Sequence, residues 1–77
     1  MTKKSAKKET THTYKMIELV GTSPKSYEEA IGSAIQDASK SLQGLDWFEV
    51  MQLRGAIKDG KVAQYQAIIK VGFKVLR

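Results

Sequence analysis

Ala56-Ile57-Lys58-Asp59-Gly60-Lys61-Val62-Ala63, AIKDGKVA, decides how this chain folds. Asp-Gly between two apolar-rich runs is the pair demanded by a two-residue type I′ turn, in which both central residues take positive φ. If Lys58 faces Lys61, then Ile57 faces Val62, and the turn sets the register of everything on either side. Working outward, Phe48 meets Val71, Val50 meets Ile69, Gln52 meets Ala67, Arg54 meets Tyr65 and Ala56 meets Ala63 on one face. The other face pairs Trp47 with Gly72, Glu49 with Lys70, Met51 with Ile68 and Leu53 with Gln66. Opposite charges directly across strands, as in Glu49 and Lys70, are mildly stabilising and support this register.

Upstream, Tyr14-Lys15-Met16-Ile17-Glu18-Leu19-Val20 alternates as a strand and ends in the turn-rich Gly21-Thr22-Ser23-Pro24-Lys25. Ser26 followed by Glu29 is a capping box, with the serine oxygen and the glutamate carboxylate each accepting a backbone N–H. Tyr27, Ala30, Ile31, Ala34, Ile35, Ala38 and Leu42 then mark one apolar helix face, and Gly44 closes the helix as a left-handed residue. Three alanines make that face thin, so a sheet can lie close to the helix axis. The expected architecture is α+β, in the order β-α-β-β, with a three-stranded antiparallel sheet wrapped round one helix.

A single helix covers a single sheet face. The face carrying Phe48, Val50 and Ile69 is expected to be the helix-covered core, which leaves Trp47, Met51, Leu53 and Ile68 outward. A contiguous apolar patch on a strand pair marks an interface or a ligand groove. Gly72 opposite Trp47 removes a side chain from beside the indole, leaving room for a flat object on the ring. In a chain of 77 residues without cysteine, disulfides and thiolate metal cages are excluded, and self-association is the remaining source of stability.

Charge is distributed unevenly. Lys3, Lys4, Lys7 and Lys8 against Glu9 put +3 of the +5 net charge into residues 1–13, MTKKSAKKETTHT. Without aromatic or apolar anchors this segment reads as a disordered, solubilising tail ahead of a domain at 14–77. The rival reading is nucleic-acid binding through the tail, with affinity falling steeply as salt rises. No apolar run approaches the ~18 residues of a membrane span, and the N-terminus lacks the apolar core of a signal peptide, so a cytoplasmic location without membrane contact is expected.

YKMIELVGTSPKSYEEAI, LDWFEV, RG and DGKVAQYQ…KVGF, in that order and spacing from Tyr14 to Leu76, closely resemble the dodecins. The resemblance implies a flavin-binding protein assembled as a hollow homododecamer of tetrahedral symmetry. Paired flavins are stacked between tryptophans of neighbouring subunits, for storage or sequestration and for quenching of their photochemistry. It places the stacking tryptophan at Trp47, a flavin-contacting arginine at Arg54 and the amide that bonds the isoalloxazine edge at Gln66. FMN is the expected flavin, with riboflavin and FAD as the other forms. Some members also bind coenzyme A, which stays open here, and Lys15 and Lys74 receive no assignment as its anion site.

The residue chemistry suits these roles, since indole offers a flat face for stacking and a carboxamide carries both donor and acceptor. In the turn-derived register Gln66 lies six residues along the sheet from Trp47, or about 20 Å at strand rise, so different subunits are expected to supply the two. Arg54 falls on the helix side of that register. Either the coiling of the sheet carries it past the helix end, or a bulge near Gly55 turns it over. A flavin-dependent redox enzyme is the alternative, but the folded part lacks cysteine and histidine, two common catalytic residue types, and a non-enzymatic role is favoured.

Overall fold

A computed structural model describes residues 11–75 of the chain, so the tail reading falls mostly on residues outside the described part. Four elements follow one another: β1 (Tyr14–Ser23), α1 (Tyr27–Ser39), β2 (Leu45–Lys58) and β3 (Lys61–Lys74). The strands form one antiparallel sheet in the order β1-β3-β2, with β3 in the centre. The expected β-α-β-β architecture is therefore present.

The turn has the backbone that Asp-Gly predicts: φ is 54° at Asp59 and 75° at Gly60, and Lys58 and Ile57 face Lys61 and Val62. Further from the turn the register departs from the ideal hairpin. Ala63 is an extra residue on β3, so Ala56 pairs with Gln64, Arg54 with Gln66, Leu53 with Ala67 and Gln52 with Ile68. Met51 is an extra residue on β2, which restores the expected pairing of Val50 with Ile69, Phe48 with Val71 and Trp47 with Gly72. Two opposed bulges thus shift the segment between them by one residue, and a one-residue shift exchanges the two faces of a strand. Leu53 moves to the helix side opposite Ala67, and Arg54 moves to the outer side opposite Gln66. The bulge alternative for Arg54 holds in kind, at Met51 and Ala63 on either side of Gly55.

β1 runs three residues beyond its expected end. Gly21 pairs with Ala67 in the middle of what the sequence suggests is a turn. A Cβ at Gly21 would come within 2.9 Å of the Ala34 Cβ and closer to the Ala30 carbonyl, so this glycine lets the helix pass directly over the strand. The resulting core is Ala30, Ala34, Ala67 and Ile69, with Leu19, Ile31 and Ile35 packed round it. Tyr27 of the helix adds an edge-on contact with Tyr65 of β3, ring centroids 5.0 Å apart.

Both helix ends differ in detail from the expectation. Ser26 Oγ accepts the Glu29 N–H at 3.0 Å, as a cap should. The Glu29 carboxylate, however, accepts the hydroxyl of buried Ser23, whose oxygen accepts the N–H of Lys25 at 2.9 Å and of Ser26 at 3.4 Å. Ser23 therefore relays the second half of the capping box. At the other end α1 stops at Ser39, and one further turn is closed by the Leu42 N–H on the Ala38 carbonyl at 2.9 Å. Gly44 has the expected left-handed φ of 76° but serves the entry into β2, its carbonyl accepting the Lys74 N–H at 3.4 Å.

The helix packs on β1 and β3. Phe48 and Val50 lie on its side of the sheet, yet they stay 46% and 41% exposed, and the reading of them as helix-covered core is corrected. The cause is the strand order: a helix seated over Gly21 and Ala67 is centred on the β1–β3 pair and stops short of β2. β2 consequently shows large apolar groups on both faces.

Candidate functional site

The outer face of the sheet is laid out by alternate residues of β3: Gly72, Lys70, Ile68, Gln66 and Gln64. At its first end Gly72 lies between Met16 of β1 and Trp47 of β2. The indole itself occupies the space that the missing side chain leaves. A Cβ at Gly72 would come within 2.7 Å of indole Cη2 and closer to Cε2 and Cζ2. Room for a ligand beside the ring, as the sequence suggests, is therefore taken by the ring, which lies across the glycine. Tyr14 closes one flank, its ring centroid 4.9 Å from that of Trp47 at an interplanar angle of 55°. Loss of hydration and the neighbouring Asp46 carboxylate, which also takes its hydroxyl hydrogen bond, push the Tyr14 phenol above its ordinary value. Trp47 remains 41% exposed, so one part of a large, fixed aromatic surface is open.

At the other end Arg54 Nε donates to Gln66 Oε1 at 2.8 Å, and Gln66 Nε2 donates to Gln64 Oε1 at 2.8 Å. The bulges bring this group together, since each of the three side chains must stand on the outer face for the bonds to form. Gln66 lies six residues along β3 from Gly72, about 20 Å at ordinary strand rise. The fold thus joins Arg54 to Gln66 and keeps both far from Trp47. Glu49 and Lys70 face one another between the two ends, as the register predicts.

Neither Tyr14 nor Gln64 was expected from the sequence to be a site residue. The signal that could have found Gln64 is Gly55, since an isolated glycine inside a strand often marks a bulge or a close backbone approach. A Cβ at Gly55 would lie 2.6 Å from the Gln64 carbonyl oxygen.

Comparison with known proteins gives this face its context. The family model described as Dodecin matches residues 13–76. The chain belongs to the dodecin family. The dodecin of Thermus thermophilus is 48% identical over 62 residues, covering 80% of this chain and 90% of that one. The calcium dodecin of Mycobacterium tuberculosis is 32% identical over 62 residues, covering 80% and 87%. Among solved structures, dodecin from Streptomyces coelicolor superposes with a TM-score of 0.86 at 47% identity, covering 88% of this chain and 97% of that one. Among the described residues no helix is long and apolar enough to cross a membrane, and no group of three or more His, Cys, Asp or Glu is placed to hold a metal ion.

Proposed function

We propose that this dodecin-family chain binds flavin, FMN foremost, with riboflavin and FAD as the other candidates, and stores or sequesters it in the cytoplasm without turning over a substrate. The observation that carries the reading is the Trp47 indole, seated on Gly72, braced by Tyr14 and still exposed. An indole held in one place with an open surface is a stacking platform for another flat ring system. The assembly proposed is the family's homododecamer of tetrahedral symmetry, which the exposed apolar groups of β2 favour. Trp47 of one subunit stacks on the flavin, and Gln66, about 20 Å away on its own chain, serves a ligand held elsewhere in the assembly. Stacking against an easily oxidised indole also quenches the photochemistry of the flavin. Coenzyme A remains a further candidate ligand of the assembly, without assigned residues.

The test is a titration of the apo-protein with FMN, followed by loss of flavin fluorescence, in the wild type and in Trp47→Ala. Losing one stacked ring costs about 1–3 kcal/mol by analogy with nucleobases on aromatic side chains, so the variant should bind roughly five- to 150-fold more weakly. Unchanged affinity would reduce Trp47 to an interface residue. The name of the M. tuberculosis relative makes calcium the natural counter-ligand. Calcium binding without flavin binding in the same titrations would overturn the proposal.

A further inference from the structure

The hydrogen bonds at the far end of the outer face have a definite direction, and one residue imposes it. A guanidinium has only donors. The Gln66 atom that Arg54 Nε meets at 2.8 Å must therefore be the amide oxygen, and the atom turned to Gln64 must be the amide nitrogen. Nitrogen donates, so Gln64 must in turn offer its own oxygen. Arg54 thus sets the orientation of two successive carboxamides, although it touches only the first.

We infer that Arg54 and Gln64 are positioning residues that fix the polarity of the Gln66 amide, so that Gln66 meets a ligand with its donor and acceptor in one order only. A carboxamide has two N–H donors and two acceptor sites on oxygen. Arg54 and Gln64 each consume one, which leaves one donor and one acceptor. The matching ligand group presents an acceptor next to a donor, as does a ring imide of C=O beside N–H. The inference rests on the flavin reading, because the pyrimidine ring of flavin carries such an imide. Arg54 is then engaged with Gln66 even when the ligand has no phosphate.

Lumiflavin, which keeps the imide and lacks both ribityl chain and phosphate, separates these roles when titrated into the full-length apo-oligomer. Gln64→Glu keeps an acceptor facing Gln66 and should leave lumiflavin affinity within about twofold of wild type. Gln64→Lys faces the Gln66 nitrogen with a second donor, which the amide can satisfy together with Arg54 only by giving up the oxygen site left for the ligand, and should weaken lumiflavin roughly tenfold, about the net worth of one hydrogen bond. Lumiflavin is uncharged, so the opposite charges of the two variants do not by themselves produce this difference. Arg54→Met should weaken lumiflavin and FMN by similar factors. A lumiflavin carrying a methyl group on the imide nitrogen should bind poorly to wild type and lose less in Arg54→Met. The inference is overturned if Arg54→Met weakens FMN alone, since Arg54 then acts only on phosphate, or if Gln64→Glu and Gln64→Lys behave alike. Sedimentation of each apo-variant checks assembly, and a loss of lumiflavin binding that tracks a loss of assembly overturns it as well. Failure of the wild type to bind either FMN or lumiflavin is a different result, and overturns the flavin reading along with this one.

Discussion

Gly72→Ala should dislodge Trp47 while leaving the sheet in place. The added Cβ would stand 2.7 Å from indole Cη2 and nearer still to Cε2 and Cζ2, whereas carbon atoms in contact prefer about 3.5–4.0 Å. Something must move by about an ångström. Gly72 is in the central strand, paired on one side with Met16 and on the other with Trp47, so its backbone is held and the indole must yield. Two effects compete in the stability. Alanine in a strand interior gains about 0.5–1 kcal/mol over glycine, while forced overpacking costs about 1–3 kcal/mol. Loss of the Tyr14 contact removes about another 0.5–1.5 kcal/mol. The expected net result is a destabilisation of roughly 0.5–4 kcal/mol, centred near 2, the clash and the lost aromatic contact together outweighing the gain in propensity. Trp47 is the only tryptophan, so its emission reports on the site alone. A red-shifted, more mobile indole with an unchanged far-ultraviolet circular dichroism spectrum is expected, together with a loss of FMN affinity approaching that of Trp47→Ala. Wild-type emission and wild-type affinity in Gly72→Ala would refute the reasoning that the glycine seats the ring.

Gly32→Ala is the opposite case: its Cβ meets nothing within 4 Å on an exposed helix position, so thermal unfolding should show a gain of about 0.8–1.0 kcal/mol from helix propensity. Self-association through β2 predicts a melting temperature that rises with protein concentration; sedimentation of a stably folded monomer at micromolar concentration would count against it. The raised Tyr14 phenol predicts pH-dependent stability with a definite sign. Its contribution is intact below the ordinary tyrosine value near 10 and is lost as pH rises through the folded value, because the unfolded chain releases the proton first. Denaturant midpoints compared between wild type and Tyr14→Phe across this range should fall more steeply with pH in the former.

The turn, the helix and the strand sequence were legible because each rests on local chemistry: Asp59-Gly60 for positive φ, Ser26 for the cap, Ala30 and Ala34 for a thin apolar face. The pairing of Trp47 with Gly72 was legible too, since equal extra residues on the two strands cancel by the time the register reaches it. What lies between the bulges was not. A bulge leaves the apolar pattern of β2 ambiguous, because Val50-Met51-Gln52-Leu53 reads equally well with either parity, and only the missing side chain of Gly55 hints at the shift. Coverage of Phe48 and Val50 was illegible for another reason. It depends on where along the sheet the helix sits, and that follows from the close approach of Gly21 to Ala30, a contact between two elements that no local pattern encodes.

The two ends of the outer face and the exposed apolar groups of β2 have a common explanation in the proposed assembly. A chain this small gains stability by covering Phe48, Val50 and Leu53 with neighbours, none of which its own helix covers. Those residues stand on one side of β2, and the side chains proposed to meet ligand, Trp47 and Arg54, stand on the other with Gln66. Had the register been that of an ideal hairpin, Leu53 would share a face with Trp47, and Arg54 would point toward the helix side. The shifted segment thus separates apolar groups needing a protein neighbour from polar groups suited to a ligand. Removing the extra residue by deleting Met51 should therefore damage both at once: Arg54 would leave Gln66, and Leu53 would leave the helix side of the sheet. Loss of assembly together with loss of lumiflavin binding is the expected outcome. A variant that assembles and binds normally would show that the bulge does not determine which residues face the ligand.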